Sequence, residues 1–73
     1  MRHVKVNPEA LRAIREKDGH SQLSLAAQSG VAQSRISELE GDEPRLVRPS
    51  TVKRLADALG VPVSALVLVE ASA

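Results

Sequence analysis

The feature that most constrains the fold is the placement of the glycines. In a chain of 73 residues, Gly19, Gly30, Gly41 and Gly60 each fall just after a stretch of helical apolar spacing. A chain punctuated this way builds short helices that must cross steeply, because only a residue or two separates some of them. Asn7 is a good N-cap for the first helix, Pro8 suits its first position, and Glu9 and Lys17 complement the two ends of its dipole. Leu11 and Ile14 share its inner face. Ser21 is placed to cap a second helix that starts at Gln22 and turns Leu25 and Ala26 inward. A third helix is expected from about Ala32 to Glu40, with Ile36 and Leu39 inward. Asp42 to Pro49 reads as loop. Ser50 is the expected cap of a fourth helix carrying Val52, Leu55, Ala56 and Leu59, and Pro62 begins a short fifth helix to about Leu66. Val4-Lys5-Val6 and Val67-Leu68-Val69 are both aliphatic enough to leave room for a two-stranded pairing of the N- and C-terminal segments. The expected class is all-α, five helices in one domain over residues 1–73.

Composition removes several function classes. There is no Cys, so no disulfide framework, thiolate nucleophile or zinc finger. His3 and His20 are the only histidines and do not have ligand spacing, so no metal or other cofactor is expected. Phe, Tyr and Trp are absent, which argues against single-strand binders that stack bases on aromatic rings. The longest apolar run, Ala65 to Val69, is far short of the roughly 20 residues that span a bilayer. No secretion signal opens the chain. A cytoplasmic protein without membrane contact is the expectation. No base can be placed beside Ser24 or Ser29 from the sequence, and there is no Gly-rich phosphate loop, so neither an enzyme nor a small-molecule substrate is expected.

The formal net charge of +1 hides a pattern. Arg2, Lys5, Arg12, Arg15 and Lys17 outweigh Glu9 and Glu16 in the first block, and Arg45, Arg48, Lys53 and Arg54 form a second basic block after an acidic middle. A near-neutral total therefore leaves an anionic partner open.

Residues 22–41 carry the functional signal. Ala26 is small where one helix must cross another, Gly30 stands where the turn calls for positive φ, and Val31, Ile36 and Leu39 fill the wedge between the helices. This is a helix-turn-helix pattern, whose second helix lies in the DNA major groove. The segments Ser21-Gln22-x-x-Leu25-Ala26, Gly30-Val31, Ile36-Ser37-x-x-Glu40, Pro49-Ser50 and Leu55-Ala56-x-x-Leu59-Gly60-Val61, in that order, resemble the DNA-binding domain of the phage lambda-type repressor and Cro family. The resemblance covers about residues 9 to 67.

The resemblance implies a lambda-repressor-like fold and roles for particular residues. Gln22 matches a phosphate-contacting position and Gln33 a position that reads adenine through N6 and N7. On a helical wheel Gln33, Ser34, Ser37 and Glu38 face DNA, with Ser34 able to bond a base edge or phosphate and Ser37 small enough for close approach. Glu38 either accepts from cytosine N4 or is a solvated charge that discourages wrong sequences. Arg35, on the flank, is a phosphate contact, as are Arg45, Arg48, Lys53 and Arg54. Glu40 matches a glutamate that pairs with an arginine of the first helix, here Arg15, as a structural tie. Two departures stand out: the loop after Gly41 is longer than usual and opens on Asp42-Glu43, and His20 replaces an apolar residue.

The implied function is a stand-alone Cro-like repressor that binds double-stranded operator DNA, excludes polymerase, and pairs as a homodimer through Leu66, Val67, Leu68 and Val69. Two other classes remain open: a protein-interaction module such as an antitoxin or phage accessory protein, and an architectural DNA factor.

Overall fold

A computed structural model describes residues 3–68. Among these, the order is β1 (Val4–Val6), α1 (Pro8–Lys17), α2 (Gln22–Ser29), α3 (Gln33–Leu39), β2 (Arg45–Val47), α4 (Pro49–Leu59) and a single 3-10 turn over Val63–Ala65. The first two helices start where their caps dictate. The Asn7 side chain accepts a hydrogen bond from the Ala10 amide at 3.2 Å, and Ser21 Oγ accepts one from the Ser24 amide at 3.0 Å. Gly30 ends α2 at φ 76°, the left-handed conformation that lets the chain turn directly into α3.

Three expectations need correction. The fifth helix is only the 3-10 turn, because three residues between Pro62 and the buried Leu66 leave no room for α-helical bonding. The main strand pairing is not between the two chain ends: β1 pairs antiparallel with β2, Val4 opposite Val47, Lys5 opposite Leu46 and Val6 opposite Arg45. That strand lies inside the 42–49 segment that reads as loop. It forms because Val47 and Val6 both enter the core while Pro44 and Pro49 keep the strand short. The C-terminal segment still reaches β1's other edge, through a Val6–Val67 bridge, an Asn7 amide bond to the Leu66 carbonyl at 2.8 Å, and a Leu68 amide bond to the Lys5 carbonyl at 3.0 Å. Finally, Ser50 does not cap α4. Pro49 takes the first helical position and Arg48 is the N-cap residue, with no side-chain cap bond.

The core is aliphatic throughout. Leu11, Leu25, Val31, Ile36, Leu39, Val52, Leu55, Ala56 and Leu59 converge from all four α-helices and the α2–α3 turn, and Val6, Val47 and Leu66 close it from the sheet side. Each buried leucine contributes roughly 1.5–3 kcal/mol by leaving water. Packing α2 against both α3 and α4 is what presents α3 outward.

Candidate nucleic-acid interface

Helix α3 is split by its own periodicity. Ile36 and Leu39 are fully buried, while Gln33, Ser34, Ser37 and Glu38 are all exposed on the opposite side. The four candidate base readers therefore share one free face. Arg35 sits half-buried on the flank, and its Nη1 donates to Glu38 Oε1 at 3.0 Å one turn on. The N-cap of α3, Ala32, offers no side-chain hydrogen bond. Among the described helices, α1 and α2 have side-chain caps and α3 and α4 do not. The Gln33 and Ser34 amides of α3 and the Ser50 amide of α4 remain available to an outside acceptor, whereas the Arg35 amide donates to the Ala32 carbonyl, the Thr51 amide to the Arg48 carbonyl, and Pro49 has no N–H.

At the C-terminal end of α3 lies a polar clamp. Arg15 Nε and Nη2 donate to the two oxygens of Glu40, at 2.6 and 2.9 Å, as a bidentate pair. Arg15 Nη1 donates to the His20 carbonyl at 2.7 Å, and Gln22 Nε2 donates to Glu40 Oε1 at 3.2 Å. The two charged side chains are 9% and 4% exposed, so this pair is close to fully desolvated. The hydrogen bond to Glu40 raises the Arg15 pKa above its ordinary value, outweighing burial, which lowers it. The clamp joins α1, the α1–α2 turn, the start of α2 and the end of α3. The Arg15–Glu40 pairing expected from the sequence is present. Gln22's bond to the same carboxylate is not legible there, because 18 residues separate the two and only the fold brings them together.

The remaining candidate phosphate contacts divide into two groups. Lys53 is bonded to Asp57 at 2.8 Å one turn along α4. Arg45 on β2, Arg48 at the α4 N-cap and Arg54 are exposed, and none of the three forms an ion pair among the described residues. Asp42 borders a surface cavity of about 460 Å³ at the start of α1, together with Asn7, Glu9 and Arg12. His20 occupies the edge of the core. Its Nδ1 lies 2.8 Å from Ser24 Oγ and its Nε2 3.3 Å from Asp18 Oδ2, so the ring bridges the α1–α2 turn to the first turn of α2. A histidine beside Ser24 is thus present although the sequence offered no way to place one, and its bonds tie the turn together.

The candidate dimer segment is divided too. Leu66 is fully buried in the core, which removes its side chain from any outer surface. Val67 packs against the core, Leu68 is half-buried at the cavity edge, and Val69 lies outside the described residues.

Two short helices joined by a left-handed glycine, the second presenting a polar face and locked from behind, define a helix-turn-helix domain. Residues 11–66 match the helix-turn-helix family model. The chain belongs to that family, in its Cro/C1, lambda-repressor-like branch. It is similar to the HTH-type transcriptional repressor RghR of Bacillus subtilis, 40% identical over 58 residues covering 80% of this chain. It spans only 43% of that relative's length. It is also similar to the restriction-modification controller protein C.AhdI of Aeromonas hydrophila, with 31% identity, a TM-score of 0.73, and coverage of 80% of this chain and 86% of that one. No helix among the described residues is long and apolar enough to cross a membrane.

Proposed function

We propose that the chain is a sequence-specific repressor that occupies double-stranded operator DNA in the cytoplasm and blocks polymerase by exclusion. The observation that carries this is the free face of α3, where Gln33, Ser34, Ser37 and Glu38 stand together above two buried anchors. In the major groove, Gln33 at the helix start reads adenine with its paired amide donor and acceptor, Ser34 and Ser37 contact bases or the backbone at close approach, and Glu38 accepts from an exocyclic amine. Gln22, Arg35, Arg45, Arg48, Lys53 and Arg54 hold phosphates. Arg48 is the best placed, since it flanks the uncapped start of α4, where the Ser50 amide and the helix dipole also favour an anion. The names of the similar proteins, a repressor and a controller of restriction and modification, agree with a regulatory role. Two copies would bind half-sites about 34–36 Å apart.

The test is selection of binding sites from random duplex DNA at near-physiological salt. A two-fold symmetric enriched motif supports a dimeric operator-binding repressor. A single asymmetric half-site supports DNA reading by a monomer. No enrichment at all rejects the proposal in favour of a protein-interaction module.

A further inference from the structure

Helix α3 carries its own cation and its own anion side by side, and the geometry bears on how the helix discriminates. Arg35 Nη1 and Glu38 Oε1 are 3.0 Å apart, with side chains 40% and 52% exposed. Glu38 stands on the free face with Ser34 and Ser37, while Arg35 is set toward the flank and reaches across to it. Against a phosphate backbone a bare carboxylate in this position is repelled. The major groove offers it only one kind of good partner, the exocyclic amine of cytosine or adenine. Paired with Glu38, Arg35 brings no free charge to a phosphate. An exposed pair of this kind is weak enough to be exchanged for better partners.

We infer that Glu38 is a specificity-determining residue that makes one phosphate contact conditional on one base. The inference rests on the DNA-reading function proposed above. On a non-cognate duplex the carboxylate has no amine to bond, so it keeps Arg35, and the pair contributes nothing to the grip. On the cognate site an amine takes the carboxylate, with cytosine N4 the better fit for an acceptor-only group. Arg35 then turns to the neighbouring phosphate. Base reading and phosphate binding are gained together or lost together, which widens the gap between right and wrong sequences without adding any contact to wrong ones.

The test uses the full chain with Glu38→Ala, Arg35→Gln and the double variant, all at exposed or half-exposed positions. The readouts are the salt dependence of binding to an arbitrary duplex and the motif selected from random duplex DNA. Removing Glu38 frees Arg35, so the log–log salt slope on arbitrary DNA is expected to steepen by about 0.9, the increment for one added phosphate contact. That increment must vanish when the same substitution is made in the Arg35→Gln background. The motif selected by Glu38→Ala is expected to lose preference at one C·G pair. Steepening of equal size in both backgrounds, no steepening in either, or a motif that keeps every position overturns the inference. If the unsubstituted chain itself enriches no site, it is the DNA-reading proposal that fails.

Discussion

Arg15 and Glu40 stand 25 residues apart in the chain and meet as a bidentate ion pair of 2.6 and 2.9 Å that ties the C-terminal end of α3 to α1. The pair completes its valences locally. The guanidinium's remaining reach goes to the His20 carbonyl, and the carboxylate takes a third donor from Gln22. No buried side-chain nitrogen or oxygen among the described residues is left without a partner. A desolvated pair that is fully satisfied fixes an arrangement, here the angle at which α3 leaves α1, more surely than it adds net stability.

Removing one partner should therefore hurt far more than removing both. Arg15→Met leaves Glu40 as a buried, uncompensated carboxylate, and a loss of about 3–5 kcal/mol is expected in urea unfolding. The double variant Arg15→Met with Glu40→Leu should recover most of that stability. It should not recover DNA affinity, since Gln22 has lost the acceptor that orients its amide. Raising the Arg15 pKa places the sign clearly: the stabilisation is fully present below arginine's ordinary pKa and lost only as pH rises through the still higher folded value. Unfolding curves between pH 6 and 9 should therefore show no pH dependence traceable to Arg15.

Gln33 is exposed and makes no hydrogen bond through its side chain within the described part of the chain, so its truncation should leave stability alone. Gln33→Ala is expected to cost about 1–3 kcal/mol of affinity at the selected site and to relax one base position. Equal weakening on every sequence would instead make Gln33 a backbone contact.

Arg48 should behave differently. Arg48→Ala is expected to weaken cognate and arbitrary duplexes alike and to flatten the salt slope by about one unit. Titrations at several salt concentrations measure this directly, and an unchanged slope removes Arg48 from the phosphate set.

Gly30 and Gly41 separate two costs that a glycine can hide. At Gly30 a Cβ would meet nothing within 4 Å, but φ is +76°. Gly30→Ala should thus lose about 1–2 kcal/mol for the left-handed backbone alone. At Gly41 the added Cβ would come 3.1 Å from the Glu38 carbonyl oxygen, so the cost of Gly41→Ala arises from crowding the last turn of α3. Thermal melts should show both losses, and only the Gly41 variant should also disturb base preference, by moving Glu38.

Helices were legible wherever the sequence states a start and a stop: Asn7-Pro8 with Gly19, Ser21 with Gly30. The sheet was not. β2 is three residues long, its middle residue Leu46 is 58% exposed, and alternation over so short a span cannot be told from chance. Its partner is chosen by the core, which takes in both Val47 and Val6 when Val47 stands opposite Val4. The start of α4 lies two residues before the one Ser50 suggests, because Ser50 is a strong capping type and Pro49 competes for the same turn. In the site, spacing within α3 sufficed to assign faces, since local periodicity determines which side is buried. Gln22 with Glu40, and His20 with Ser24 and Asp18, depend on how helices cross, which no local pattern reports.

The C-terminal segment gives the sharpest contrast between fold and assembly. Leu66 and Leu68 are two residues apart on a segment bridged to β1, yet Leu66 is fully buried and Leu68 is half-exposed at the cavity edge. Lys5 pairs with Leu46 on one side of β1, and its carbonyl accepts from the Leu68 amide on the other, so the two leucines flank one outer strip. Leu66→Ala should cost about 2–5 kcal/mol of stability, as a core truncation does. Leu68→Ser and Leu46→Ser should change stability little. If this strip joins two copies, the pair of serine substitutions shifts sedimentation from dimer to monomer and turns a two-fold symmetric selected motif into a half-site. A sedimentation coefficient unchanged by both substitutions places the dimer contact elsewhere on the domain.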